Sequence, residues 1–65
     1  MELETLAEIY KRHHRVILVR DRHGRTHRIL GRGPADFYIG WIEGETKMKH
    51  DYKPNEAKWQ YVGYL

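Results

Sequence analysis

The sequence predicts an α+β protein, mainly β: an N-terminal helix followed by about five short antiparallel strands forming a strongly bent sheet or small partly open barrel. Three observations predict it. Leu3, Leu6, Ile9 or Tyr10, and His13 recur at spacings of three and four, the period of one helix face. After them, β-branched and aromatic residues gather in short runs separated by glycine-containing breaks. Finally, 65 residues without a cysteine make a single domain with a thin core, which five strands can enclose only by bending.

The helix is expected over residues 1–14. Glu2 and Glu4 in its first turn and Lys11, Arg12 and His13 in its last suit the helix dipole, and Glu8 and Arg12 form an i,i+4 pair. Leu6 and Ile9 would dock it on the sheet. Residues 15–31 read as a hairpin whose two-residue turn is His23-Gly24. That register sets Arg22 opposite Arg25, Arg20 opposite His27 and Leu18 opposite Ile29. The other face would pair Asp21 with Thr26, Val19 with Arg28 and Ile17 with Leu30.

"GRGP" (Gly31 to Pro34) is a hinge. Residues 36–50 form a second predicted hairpin around Glu43-Gly44, with Phe37, Ile39 and Trp41 on one face. Met48 would oppose Ile39, and Lys47 and Lys49 would share the opposite face. "DYKPNEAK" is expected as a loop or one helical turn with Pro54 at its start. Residues 58–65 close the sheet. Trp41 and Trp59 are assigned to the core, and Gly31, Gly40 and Gly63 are the expected bend points.

This element order resembles the Sm and Hfq architecture. The residues carrying the resemblance are "VILV", then Gly24, then Gly31, then "DFYIGWI", similar to that family's strand-Gly-strand-Gly-Asp-strand pattern over residues 3–42. The resemblance implies a helix on five bent strands. It is one of architecture, and no functional residue is carried over from it.

Charge is placed unevenly. The net +3 conceals −3 over residues 1–10, +7 over residues 11–32 and −1 over residues 33–65. "VRDRHGRTHRILGR" (Val19 to Arg32) holds five arginines and two histidines against Asp21 alone. Arginine forks match phosphate geometry, and like charges crowded on a ribbon repel until an anion relieves them. The candidate phosphate contacts are therefore Arg20, Arg22, Arg25, His27, Arg28 and Arg32. Lys11, Arg12 and Arg15 would extend the strip at the helix end. Tyr38, Tyr61 and Tyr64 are candidate base-stacking residues. The plainer account of the same charges is a solvated ribbon that protects strand edges from aggregation.

No motif supports catalysis. His27 and His50 with Arg20 can be drawn as a ribonuclease site, yet their spacing does not demand one. No histidine pair has helix-borne metal spacing, so neither a metal nor a cofactor is expected. "GRGP" lacks the Gly-Lys-Ser/Thr of a phosphate loop. The longest apolar runs are four residues, too short for a membrane span, and the acidic N-terminus is unlike a secretory signal. The absence of cysteine fits a reducing cytoplasm.

The expected function is that of a small non-enzymatic nucleic-acid-binding protein, RNA or DNA, using the Arg-rich hairpin. The alternative is a small protein-binding adaptor or inhibitor, docking an acidic partner through the same hairpin and surface tyrosines. Self-association through a free strand edge, giving a homo-oligomer, is a further expectation.

Overall fold

A computed structural model describes residues 2–45 and 48–65. The elements are α1 (Leu6–His13), β1 (Ile17–Arg20), β2 (Thr26–Arg32), a 3₁₀ turn (Pro34–Asp36), β3 (Tyr38–Ile42), β4 (His50–Tyr52) and β5 (Gln60–Tyr64). The strands form one antiparallel sheet in the order β4-β3-β2-β1-β5, left open rather than closed into a barrel. One helix and five strands make the class α+β, mainly β.

The helix is shorter than residues 1–14, because a capping box sets its start. Thr5 Oγ1 accepts from the Glu8 N–H at 3.1 Å, and Glu8 Oε1 accepts from the Thr5 N–H at 3.0 Å. Glu2 and Glu4 therefore precede the helix. Glu4 instead pairs its backbone with Trp59 in an isolated bridge, and its carboxylate takes the Arg12 guanidinium in place of Glu8. At the other end His14 caps the helix in the left-handed region, φ 50°.

The first hairpin differs from its predicted register by one residue. Ile17 pairs with Ile29, Leu18 with Arg28, Val19 with His27 and Arg20 with Thr26. The loop is Arg22-His23-Gly24, closed by the Asp21 N–H on the Arg25 carbonyl at 3.0 Å, with Gly24 at φ 84°. A one-residue slip exchanges the faces of a strand. Here it puts Ile17, Val19 and Ile29 together on the inner face, each fully buried, and carries His27 in with them. The predicted register would have set Arg28 opposite Val19, so apolar burial outweighs the two-residue turn.

The core consists of Leu6, Ile9, Ile17, Val19, Ile29, Tyr38, Tyr52 and Trp59. Trp59 is inside as expected, but Tyr38 replaces Phe37, which is exposed, and Trp41 is only half-buried. The frame of β3 explains the exchange. Gly40 is buried against the backbone of β2 opposite Ile29, so the residues that share its face, Tyr38 among them, point inward. The second hairpin also has a longer loop than Glu43-Gly44 would allow. Ile39 pairs with Asp51, not Met48, and Met48 is 63% exposed before β4. The expectation for Lys47 lies outside the described residues. "DY" of "DYKPNEAK" belongs to β4, and only the turn after it remains.

Leu6 is fully buried and joins the helix to this core. Leu6→Ala is expected to cost about 2–4 kcal/mol, read as a drop in the urea midpoint without a change in slope.

Candidate functional site

The hairpin loop is shaped by Asp21. Its Oδ1 accepts the backbone N–H groups of His23 at 2.9 Å and Arg25 at 3.0 Å. The sequence "DRHG" signals such a turn, with aspartate first and glycine fourth. The other carboxylate oxygen, Oδ2, lies 2.8 Å from His27 Nε2, and His27 Nδ1 lies 2.9 Å from the Tyr52 hydroxyl. One hydrogen-bonded chain thus links the loop, β2 and β4.

Proton positions along this chain follow from its two ends. Burial tends to raise the Asp21 pKa. Hydrogen bonds from His27 and from the N–H groups of Arg25 and His23 outweigh it and bring the carboxyl down to about 2. Burial, aided by the Asp21 charge, pushes the Tyr52 hydroxyl up to about 12. The carboxylate can only accept, so His27 donates from Nε2. His27 Nδ1 and the Tyr52 hydroxyl share the second hydrogen bond of the chain. Both ring nitrogens are hydrogen-bonded, so His27 ties the loop to β4.

Above the chain lies a cleft of about 440 Å³, bordered by Arg22, His23, Arg25, His50, Asp51 and Lys58, with His27, Tyr52 and Trp59 as its floor. The three floor rings meet edge to face. Centroids lie 4.9 Å apart for His27–Trp59, 5.5 Å for His27–Tyr52 and 5.6 Å for Tyr52–Trp59. Lys58 places its ammonium 5.4 Å from the Trp59 ring and 3.1 Å from Glu56. The indole N–H of Trp59 has no acceptor among the described residues.

The basic residues predicted to form one strip are distributed around the molecule. Arg22 and Arg25 reach the cleft, although Arg25 also has Asp21 at 3.6 Å. Arg20 and Arg28 are on the outer face of the sheet, and Arg28 grips Glu43 with two nitrogens, at 3.2 and 2.8 Å. Arg32 is paired with Asp36 at 2.8 Å, and Arg12 with Glu4. Arg15 donates to the Leu65 carbonyl at 3.0 Å, and its guanidinium covers the Tyr64 ring at 4.1 Å. Lys11 borders a second cleft beside His14, Arg32 and Tyr38.

His27 is 7% exposed and belongs to the core network, so it contributes to the floor of the cleft rather than to an exposed basic face. Tyr38, 4% exposed, is likewise unable to stack on a base. Tyr61 is half-buried with its ring stacked on His13 at 4.4 Å, while Tyr64 remains exposed. The drawn ribonuclease trio does not assemble, since Arg20 and His27 occupy opposite faces of the hairpin.

Among the described residues no group of three or more His, Cys, Asp or Glu side chains is placed to hold a metal ion. No helix among them is long and apolar enough to cross a membrane. Sequence reasoning singled out neither Lys58 nor Tyr52, because only the sheet order brings them to the hairpin tip. Comparison with protein-family models, curated proteins and solved structures finds no match for the chain.

Proposed function

We propose that the protein is a small non-enzymatic nucleic-acid-binding module whose contact surface is the tip of the β1–β2 hairpin. One observation carries the reading. Arg22, His23 and Arg25 from the loop, His50 from β4 and Lys58 from the segment before β5 converge on one cleft. Arg25 and Lys58 are balanced by Asp21 and Glu56, whereas Arg22 has no acid partner among the described residues, and a bound phosphate would supply one. Arg20 on the adjoining outer face extends the contact. Arg15 over the exposed Tyr64, and Lys11 with Arg32 at the second cleft, are two further basic areas. Absence of cysteine suits a cytoplasmic protein. The element order supports an Sm-like arrangement, as a likeness only.

The test is a titration against single- and double-stranded DNA and RNA at two salt concentrations, with wild type and an Arg22→Gln/Arg25→Gln/Lys58→Gln variant. Wild type is expected to bind in the submicromolar range at low salt. The variant should lose at least about tenfold. Its slope of log K against log salt should shallow by about 0.9 per lost duplex contact, or about 0.7 on a single strand. Failure of wild type to bind any of the four, or an unchanged slope in the variant, overturns the reading.

A second reading, docking of an acidic protein, is favoured by the outer sheet face. There Leu18, Arg28 and Trp41 form one row across three strands, with Leu18 and Trp41 half-buried and Arg20 alongside.

A further inference from the structure

We propose that the hairpin-tip cleft binds one nucleotide as a unit, a nucleoside monophosphate or the equivalent end of a strand, rather than a run of backbone phosphates. The proposal rests on the nucleic-acid reading above and deepens it.

The lining of the cleft is of mixed sign. Arg22, Arg25 and Lys58 stand beside the carboxylates of Asp21 and Asp51. A track for continuous backbone is uniformly positive, and carboxylates within it repel the strand. A single nucleotide needs both signs: cations for its phosphate, and acceptors for a base amine or ribose hydroxyl. Asp21 already accepts three hydrogen bonds and faces Arg25, so Asp51 is the freer carboxylate acceptor. Arg22 has no acid partner among the described residues and is the phosphate contact of choice.

The floor supplies the second argument. His27, Tyr52 and Trp59 meet edge to face beneath the charged rim, so the cleft has an aromatic base below its polar groups. The volume, about 440 Å³, lies within the range of pockets that enclose small ligands, roughly 300–1,000 Å³. The Asp21–His27–Tyr52 chain holds loop and floor in place before any ligand arrives.

The test follows the indole N–H resonances of Trp41 and Trp59 in a ¹⁵N-labelled protein, with Trp59→Phe assigning the pair. The probes are the four ribonucleoside monophosphates, the matching nucleosides, inorganic phosphate and a short oligonucleotide. At least one monophosphate is expected to shift the Trp59 signal at submillimolar concentration while Trp41 stays put. Inorganic phosphate and the nucleoside should each bind at least about tenfold more weakly, and Arg22→Gln should weaken the monophosphate by a similar factor. A Trp59 signal unmoved by every monophosphate, or moved as strongly by inorganic phosphate, overturns the proposal. If the oligonucleotide still binds in that case, the nucleic-acid reading stands and only the nucleotide pocket is lost. If it does not, both fall.

Discussion

Asp21→Ala is expected to abolish the cooperative unfolding transition of this protein at room temperature. The carboxylate accepts two loop N–H groups and the imidazole of His27, and its own side chain is only 13% exposed. The loop amides can turn to water once it is gone, but His27 Nε2 cannot. Removing one partner from a buried charged network costs about 3–5 kcal/mol. A domain of this size without disulfides holds about that much in total. Asp21→Asn separates charge from shape, because its amide oxygen can still serve the loop. The folded-state pKa near 2 lies below the ordinary 3.8, so ionised Asp21 contributes stability that is complete above pH 4. That contribution is lost as pH falls from about 4 through 2. Wild type should therefore lose stability across that window in thermal melts, and Asp21→Asn should show a flatter profile there. A wild-type midpoint that is constant from pH 5 to 2 would show that the carboxylate does not hold the loop.

Gly40→Ala should be at least as damaging, for a steric reason. A Cβ at Gly40 lands on the backbone carbonyl of Arg28, with Ile29 Cα at 3.0 Å, and backbone within a sheet cannot give way as a flexible side chain does. Relief requires β3 to move off β2 in the middle of the sheet, at an expected cost above about 3 kcal/mol. Gly63 is the control. It too lies in a strand, its Cβ would meet nothing within 4 Å and its φ is not positive. Gly63→Ala should leave the urea midpoint unchanged or slightly raised, through the unfolded chain's lost freedom. Equal midpoints for the two variants would mean that β2 and β3 do not approach as closely as described.

The class of the fold and the order of its elements were legible because periodicity and breakers are local signals. Leu6 and Ile9 fall on the helix face, and Gly24 and "GRGP" end strands for reasons contained in a few residues. The helix start was placed too early, because a helix over residues 1–14 passes over the capping box that Thr5 and Glu8 form. Register was harder to read. Choosing a two-residue turn over a three-residue one turns on whether Asp21 caps the loop, and the shift moved Arg20 and His27 onto opposite faces. Phe37 and Tyr38 were exchanged for a different reason. The alternation of β3 is the same in either frame, and the choice between them depends on Gly40 meeting a strand distant in sequence. The cleft was least legible of all. Arg22 and Arg25 stood close in sequence with Arg20, which lies on the outer face instead, and Tyr52, Lys58 and Trp59 reach the hairpin only through the order β4-β3-β2-β1-β5. Paired acids also disperse the apparent strip, since Glu4, Asp36 and Glu43 each neutralise an arginine counted as free.

The chain from Asp21 through His27 to Tyr52 bears on motion as well as on shape. Binding loops usually belong to the least stable parts of a protein and open independently of the rest. This loop is fastened to a core histidine, which is fastened in turn to a core tyrosine of the edge strand β4. It has little freedom to open unless β2 and β4 separate too. The rim of the cleft therefore shares the cooperativity of the whole domain. A ligand entering it meets a surface already ordered and pays little conformational entropy. The converse also holds: whatever loosens β4 at the edge of the sheet dismantles the cleft at the hairpin tip in the same event.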